Sequence, residues 1–521
     1  MKKLIIFILS LTIFFSITSI LTFAKSDVYK VGMEAGYPPF NWTQKTKKNG
    51  AVLIEGSDQY ANGYDVQIAK KVAKEMNKKL VVVKIKWDGL IPALTSGKID
   101  AIVAGMSPTK ERRDTIDFSN SYYTSQIVIV VNKNGKFANA KSIQDFKNAK
   151  ITAQQGTFHY NLISQMNGVK KQPAMGDFSG MRVATQSNTI DGYIGERPEG
   201  LTAQVNDPKL KMITFSKTNG FKTKADEVMT SIGVLKGNQD LSIINDVLSK
   251  ISDKKRVQLM DKMTSLQNHP EKADGFWQQV AMIIKANGTY FVAGAGVTLF
   301  ISIIGTIIGT IIGLLIGVFK TAPKSSNKYL SIINAIFNAI LNIYVEIFRG
   351  TPMIVQAMII YYGSAQFLGI SIDKLWAALF IVSINTGAYM TEIVRGGIFA
   401  VDKGQFEAAA ALGMNHNQAM MKVILPQTIR NILPAAGNEF VINIKDTSVL
   451  NVISVSELFF AGNTIAQQNY QYFQTFTIIS VIYFVLTFTV TRILRFVEKK
   501  LDTVKVTTGA NQMQVKLEVE K

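Results

Sequence analysis

The residues with the clearest chemical potential lie in the segment 104–119, where two adjacent arginines follow a glycine and a serine. The planar guanidinium of Arg112 suits a carboxylate, which it can bind through two parallel hydrogen bonds. Gly105 and Ser107 stand at the expected start of a helix, where free N–H groups also favour an anion. The segment therefore predicts a carboxylate site, and the alternative is an ordinary solvated helix turn.

Residues suited to covalent or metal chemistry are scarce. The chain has three histidines, His159, His269 and His416, and no cysteine, which excludes disulfides and thiolate metal sites. The sequence contains no nucleophile elbow, paired metal ligands, glycine-rich dinucleotide turn or Gly-x-x-x-x-Gly-Lys-Ser/Thr loop. We therefore expect a binding protein rather than an enzyme, with no metal and no cofactor of its own.

Ionisable residues also occur within or at the ends of apolar runs in the second half of the chain. A charge at such depth in a membrane is costly unless it is paired or faces water. Glu346, Glu392 and Asp446 are therefore candidates for a transmembrane pathway. Each of the two glutamates has an arginine three residues later, so each pair could instead simply neutralise itself.

Composition sets the outer bounds. With 521 residues, 47% of them hydrophobic, and a positive mean hydropathy, the chain has room for two or three domains and must include membrane-buried runs. A net charge of +20 could indicate nucleic-acid binding. No basic helix with interleaved aromatics appears, however, and cationic loops at the cytoplasmic membrane face account for part of the excess. We expect no nucleic-acid partner.

The first 24 residues have the character of a targeting segment. Two lysines precede an apolar run over 4–24, with a plausible cleavage site after Ala24. The run is also long enough, at about 21 residues, to remain as an uncleaved membrane span. Either outcome places residue 30 onward outside the cell.

Residues 25–266 are soluble in character and alternate short β-rich runs with amphipathic helices. The pattern predicts strands over 80–85, 101–104 and 127–131 and helices over 65–76 and 90–96. The region is therefore expected to be an α/β domain.

Residues 104–113, continuing to 117–119, resemble the type II solute-binding proteins for amino acids. The resemblance implies an α/β bilobed solute-binding domain, in which two lobes close over a ligand about a two-strand hinge. Lobe 1 is expected at about 30–122 and 221–266, with lobe 2 between these two segments.

The same resemblance assigns roles to individual residues. It implies that Arg112 binds the ligand carboxylate, that the loop 155–157 supplies further donors, and that Glu196 binds the α-amino group. Phe158 departs from the small polar residue that many relatives carry there. Tyr37 and Trp87 match positions where aromatics flank the ligand side chain, and Glu34 matches an acidic position near its tip. The complete predicted ligand site is Glu34, Tyr37, Phe40, Trp87, Gly105, Ser107, Arg112, Gln155, Thr157 and Glu196.

Aromatic faces beside a carboxylate suit a guanidinium or an ammonium group. We therefore predict a polar ligand, with the basic amino acids arginine, lysine and histidine favoured. The same groups could stack on and hydrogen-bond a glutamine amide, so glutamine stays open.

A second conspicuous pattern lies at 407–413 and 423–426. Strong helix formers end at Gly413, which permits a left-handed cap, and a second short helix is expected to run to Pro426. With Val423 in place of the usual isoleucine, this pattern resembles the EAA loop of ABC importer permeases. Blocks at 348–352, 387–397 and 445–448 similarly resemble the polar amino acid uptake permeases. The resemblance implies a coupling loop that docks on a separate ATPase subunit through Glu407, Ala408, Ala409, Gly413, Leu425 and Pro426.

After a linker at 267–287, residues 288–500 are expected to form an all-α membrane domain of five transmembrane helices, similar to a type I ABC importer permease, and 501–521 a polar cytoplasmic tail. A single bent crossing over 329–369, with its bend at Pro352, leaves the loop after 398 on the positively charged inner side. The expected spans are 289–319, 329–369, 375–398, 434–455 and 473–494. Glycines four residues apart in the first span predict a close helix-packing seam.

Taken together, the resemblances imply a fused receptor and permease of an ATP-driven amino acid importer, in the plasma membrane with its binding domain extracellular. A homodimer served by two copies of a separate ABC ATPase is expected. The alternative from another class is a ligand-gated channel or chemosensory receptor with a bilobed sensor.

Overall fold

The computed structural model describes residues 27–266, 275–323, 327–469 and 471–502. The predicted signal or membrane segment 1–24, the first part of the linker and nearly all of the polar tail lie outside these residues. Strands β1 to β14 are Val28–Met33, Gly36–Tyr37, Asn41–Gln44, Val52–Leu53, Tyr60–Asn62, Lys79–Lys84, Ala101–Ile102, Asp117–Thr124, Ile127–Asn132, Lys150–Thr152, Lys170–Lys171, Gly192–Glu196, Leu210–Ile213 and Met229–Val234.

The helices divide into two groups. In the α/β region, α1 to α9 are Tyr64–Glu75, Leu90–Thr95, Lys110–Thr115, His159–Leu162, Phe178–Gln186, Arg197–Asn206, Ala225–Val228, Leu241–Ser249 and Asp253–Ser265. In the membrane region, α10 to α19 are Phe276–Lys320, Lys328–Gly350, Met353–Met358, Ser364–Leu368, Lys374–Phe399, Lys403–Ala411, His416–Ala419, Leu425–Asp446, Leu458–Asn469 and Tyr472–Asp502. The elements predicted within the α/β region from periodicity are confirmed to within about two residues.

The α/β region consists of two lobes, each built on a five-stranded sheet. The first sheet has the order β6-β1-β7-β14-β8 and the second β11-β10-β12-β9-β13, with a small sheet β2-β3-β5-β4 attached to the first. The chain passes between the lobes twice, after Thr124 and again between Ile213 and Met229. Strand β9 reads Ile-Val-Ile-Val-Val and is buried on both faces, as expected for a strand covered by helices on each side. This two-lobe α/β fold confirms the predicted class.

The second region is a bundle of long apolar helices. Among the described residues, α10, α11, α14 and α19 are each long and apolar enough to cross a membrane. A bent pair, His416–Ile453 and Leu458–Asn469, meets at 56° and raises the number of spans to five if the pair is one span. A helical membrane domain of four to five apolar helices therefore follows the bilobed domain.

The predicted glycine seam joins α10 to α14. Gly305, Gly309, Gly313 and Gly317 all lie on the face of α10 that contacts α14, and a Cβ at any of them would collide with that helix. The residues they meet are, in order, Val382, Thr386, Met390 and Val394. Small residues allow such close backbone approach where lipid offers no hydrophobic drive for association.

The two predictions about proline had opposite outcomes. The break at Pro352 is confirmed, because α11 ends at Gly350 and α12 begins at Met353. The prediction that a second short helix ends at Pro426 is wrong, because the chain stays helical from His416 to Asp446. A wide π-turn over Met420–Ile424 directly precedes the proline. Proline in the first turn of the next segment lacks only an N–H that the widened turn leaves unused.

The α/β domain sits on one end of the helical bundle through lobe 1. Lys98 lies over the ring of Tyr361 at 3.6 Å and donates to the carbonyl of Ile372 at 3.3 Å. Lys84 donates to Thr464 Oγ1 at 2.8 Å. These contacts fix the start of α14 next to lobe 1, so the end of α14 lies about 39 Å away at 1.5 Å per residue.

Candidate functional site

The cleft between the lobes is narrow and lined by both of them. It contains about 280 Å³ of space, part of it open to solvent, and its walls come from loops at strand ends and from the starts of short helices. Ligand sites in α/β sheets commonly lie at the carboxyl ends of strands, where loop side chains converge. The lining residues are Tyr37, Trp87, Gly105, Ser107, Arg112, Gln154, Thr157, Phe158, His159, Phe178 and Glu196.

Arg112 lies in the first turn of α3 and bridges the lobes. It donates to the carbonyl of Ser107 at 2.8 Å within lobe 1 and to the carbonyl of Gly156 at 3.0 Å in lobe 2. The guanidinium also lies over the ring of Trp87 at 5.0 Å. Burial lowers the pKa of Arg112 to about 10, so the group stays cationic at neutral pH. Among the described residues no carboxylate lies within ion-pair distance of it, so this half-buried cation is available to an anion.

Glu196, the last residue of β12, forms the opposite end of the cleft. Its side chain is 1% exposed, and Oε2 has no hydrogen-bond partner among the described residues. Burial raises the pKa of Glu196 to about 8 and lowers that of the neighbouring His159 to about 3. The 3.8 Å approach of His159 Nε2 to Glu196 Oε1 is thus a contact between neutral groups rather than an ion pair. An entering cation would give Glu196 the partner it lacks.

Aromatic side chains form the walls between these two ends. The ring of Tyr37 stacks on Phe178 from lobe 2, with centroids 4.8 Å apart and planes 14° apart. Phe40 stacks on the other face of Tyr37 at 5.1 Å but is fully buried, so it supports the wall without lining the cleft. Both faces of Tyr37 are therefore covered, and a ligand side chain would have to separate Tyr37 from Phe178 to stack on an aromatic face.

Seven of the ten predicted ligand residues come together in the cleft: Tyr37, Trp87, Gly105, Ser107, Arg112, Thr157 and Glu196. Gln155 does not line it; the side chain is exposed, and its neighbour Gln154 faces inward instead. Glu34 lies in an adjoining chamber, where Gln154 Nε2 approaches its Oε2 at 3.4 Å.

Sequence reasoning missed four lining residues. Phe158 and His159 directly follow the predicted loop, which was a usable signal, since neighbours in a loop often share a site. Gln154 and Phe178 had no comparable signal, because the inward direction of one and the position of the other depend on how the lobes meet.

The predicted coupling loop forms a convex surface at the end of the bundle remote from the α/β domain. Helix α15 ends before Gly413, which has φ of +76°, and Asn415 caps the next helix through Gln418. Glu407, Ala408, Gly413 and Pro426 are exposed, Leu425 is half-buried, and Ala409 packs inward. Leu412 at the tip is 77% exposed. The arrangement presents helix ends and an apolar tip outward.

The three candidate pathway acids differ in their surroundings. Glu392 pairs with Lys320 at 3.2 Å and with Arg395 at 2.7 Å, so its charge is neutralised locally. Glu346 is exposed and makes no ion pair with a described residue, while Arg349 lies over the ring of Tyr389 at 5.6 Å. Asp446 is half-buried at the end of α17. The alternative that each glutamate pairs with the arginine three residues later therefore fits Glu392 and does not fit Glu346.

Comparisons with known proteins match both regions. Residues 29–342 match the bacterial extracellular solute-binding proteins, family 3. Residues 309–503 match the inner membrane component of binding-protein-dependent transport systems. The first match continues beyond the α/β domain into α10 and α11, where it overlaps the second.

Individual relatives match the membrane region. The arginine transport system permease protein of Bacillus subtilis (strain 168) is 41% identical over 158 residues, which are 30% of this chain and 72% of that protein. The glutamine transport system permease protein of Escherichia coli (strain K12) is 38% identical over 159 residues, 30% of this chain and 73% of its own. A solved substrate-binding protein of an amino acid ABC transporter is 27% identical, covers 45% of this chain and 98% of its own, and has a TM-score of 0.39.

Proposed function

The chain belongs to the family 3 bacterial extracellular solute-binding proteins and to the inner membrane components of binding-protein-dependent transport systems, and from this premise we propose that it imports a basic L-amino acid. It joins the solute-binding and permease parts of an amino acid ABC transporter in one polypeptide.

The observation that carries the proposal is the pairing of a half-buried cation and a buried carboxyl group in one cleft between the lobes. A free amino acid is a zwitterion, so its carboxylate would bind Arg112 and its ammonium group would bind Glu196. Arg112 has no carboxylate partner and Glu196 Oε2 accepts no hydrogen bond among the described residues, so a zwitterion would supply what each group lacks.

The side chain of the ligand would lie between the aromatic walls and point towards Glu34. A guanidinium that separated Tyr37 from Phe178 would stack between two aromatic rings, with Trp87 beside them, and Glu34 supplies a carboxyl group beyond them. Glutamine is the competing ligand. Calorimetry on the full-length protein in lipid nanodiscs tests the choice: tight glutamine binding with no heat from arginine, lysine or histidine contradicts it.

Transport would follow from linked equilibria. Ligand stabilises closure because Arg112 and Gly156 come from different lobes and meet only when the cleft is shut. The closed receptor is held next to the bundle by a covalent tether, which raises its effective concentration there to roughly millimolar. The exposed loop at 403–426 would then dock on an ABC ATPase, two copies of which would serve a homodimer of this chain.

This assignment requires the binding domain outside the cell and the loop inside. Since the chain has no cysteine, Asn415→Cys would introduce a unique thiol at the exposed tip. A membrane-impermeant maleimide should label it only after cells are opened. Labelling in intact cells would show that the loop lies outside the cell, where an ATPase could not reach it.

The channel alternative finds no supporting feature in the described residues. The connections between the lobes, 125–126 and 214–228, are short and contain no membrane helix. The membrane helices within the described residues follow the second passage between the lobes, so no pore is inserted into the ligand domain.

A further inference from the structure

A second chamber lies beside the ligand cleft, and a membrane-domain helix forms one of its walls. It encloses about 620 Å³, part of it open to solvent. Trp87 borders both spaces, and the contact between Gln154 and Glu34 separates them. A ligand side chain long enough to displace this contact would extend from the cleft into the chamber.

The wall from the membrane domain belongs to α18. Phe460, Asn463 and Gln467 line the chamber from this helix. A Cβ at Gly36 would collide with the carboxamide of Gln467, so this side chain lies directly beside the residue before Tyr37. The oxygen Oε1 of Gln467 is buried and has no hydrogen-bond partner among the described residues. The helix thus presents an unsatisfied polar group next to the cleft wall.

Contacts from lobe 1 hold α18 in this position. Lys84 donates to Thr464 at 2.8 Å and lies over the ring of Phe460 at 5.2 Å. One turn along, Gln468 Nε2 donates to Gln59 Oε1 at 3.2 Å, and neither of these two glutamines lines the chamber. The chamber is therefore complete only when the receptor is docked on its own membrane domain.

The remaining walls carry acids from both lobes. Glu34 and Asp88 come from lobe 1 and Asp177 from lobe 2, and burial together with Asp177 raises the pKa of Glu34. Lys84 and Lys86 stand on the lobe 1 side, so the chamber has a small acidic excess. A guanidinium or ammonium group would pair with the acids.

We infer that this chamber is a subsite for the cationic end of a long basic amino acid, and that Gln467 of the membrane domain is a specificity-determining residue within it. The inference rests on the proposed function. It means that docking, and not the receptor alone, sets the preference between charged and neutral ligands, because one wall is absent from an undocked receptor.

The test compares arginine with its neutral isostere citrulline on the full-length protein in nanodiscs. Gln467→Glu should raise the ratio of arginine to citrulline affinity, and Gln467→Lys should lower it, each by about tenfold. The matched controls are Gln468→Glu and Gln468→Lys, which disturb docking from the same helix outside the chamber. They should change both affinities by the same factor.

Each outcome has one meaning. Opposite shifts at position 467, with none at 468, support the subsite. An unchanged ratio in both Gln467 variants, in protein whose wild type binds arginine, overturns the inference and leaves the proposed function intact. Equal shifts at 467 and 468 overturn it as well, because the effect would then come from docking. If the wild type binds no basic amino acid, the proposed ligand class fails and the subsite with it.

Discussion

The interlobe cleft and the loop at 403–426 are the two candidate functional regions of this chain, and they differ in shape and in the chemical groups that they present. The cleft is concave, and its walls leave buried polar atoms such as Glu196 Oε2 without partners. The loop is convex, its backbone is capped by Asn415 and Gly413, and what it exposes is the apolar side chain of Leu412. A concave site with unsatisfied polar groups fits a small molecule, whereas an exposed apolar tip fits a protein surface.

If this contrast is correct, changes in the cleft should act on ligand affinity, and changes in the loop should act only on coupling to the ATPase. The following experiments test whether ligand affinity and coupling to the ATPase can be changed independently.

The largest effect is expected from Arg112→Ala. Loss of two charge-assisted hydrogen bonds to the ligand carboxylate, at about 1.5–3 kcal/mol each, should weaken binding by roughly 10²- to 10⁴-fold. The measurement is ligand calorimetry on the full-length protein. The adjacent Arg113 is the matched control, since it donates to the Pro108 carbonyl at 2.9 Å and lies over Phe118, outside the cleft. Arg113→Ala should change affinity less than about threefold; an equal loss in both variants would mean that local helix stability, not ligand contact, is responsible.

The next effect separates the two regions directly. Gly413→Val should leave ligand affinity unchanged and reduce ligand-stimulated ATP hydrolysis by about tenfold, because a β-branched residue is strained at φ of +76°. Gly413→Asn is the control, since asparagine tolerates the left-handed conformation. It should retain most of the stimulation. Reconstituted protein with its ATPase provides the assay, and full stimulation in the valine variant would argue against a coupling role.

A smaller effect concerns pH. In the closed cleft without ligand, burial raises the pKa of Glu196 to about 8, so a bound proton favours closure. The closed, ligand-free population should therefore decline as pH rises from about 6.5 through 8, by at most about tenfold per pH unit for this carboxyl. Burial lowers the pKa of His159 to about 3 in the closed cleft, so below about 6.5 protonation of this residue in the open form opposes the effect of Glu196.

Single-molecule energy transfer can measure this population. Dyes on Lys74→Cys in lobe 1 and Lys209→Cys in lobe 2 would report the opening in a chain that has no other thiol. Glu196→Gln should flatten the pH profile. Part of the slope should remain, because Glu34, with its pKa raised to about 8, acts in the same direction as Glu196, whereas Lys84, with its pKa lowered to about 7, acts in the opposite direction. A variant profile identical to wild type would remove Glu196 from the explanation.

The smallest effects are expected between the two regions, in the membrane. Glu392→Gln removes two partly exposed ion pairs and should lower stability by about 1 kcal/mol or less, with uptake nearly unchanged. Glu346→Gln breaks no ion pair within the described chain and should leave the melting temperature unchanged while reducing uptake about threefold, if this acid faces the pathway. Thermal unfolding and uptake in proteoliposomes, measured side by side, decide between the two roles. The reverse pattern would exchange them.

Much of this architecture was predictable from sequence because it rests on local signals. Short β-rich runs predicted the strands of the lobes, and glycines at a four-residue period predicted the seam between α10 and α14. What failed depended on tertiary contacts. A shift of one residue exchanges the two faces of an extended segment, so Gln154 faces inward where Gln155 was expected. The π-turn before Pro426 allowed a helix to continue where a stop was predicted. Nothing local in α18 could reveal that Gln467 reaches the receptor, because that contact joins segments more than 400 residues apart.

The glycine seam also limits where the membrane domain can bend. Four successive turns of α10 lie so close to α14 that neither helix has room to rotate or slide against the other without a steric clash. Helices α10 and α14 should therefore move together as one rigid body during a transport cycle. Bending of the membrane domain is then expected at the two nearby breaks between helices, at 351–352 and at 454–457. These short segments would act as its hinges.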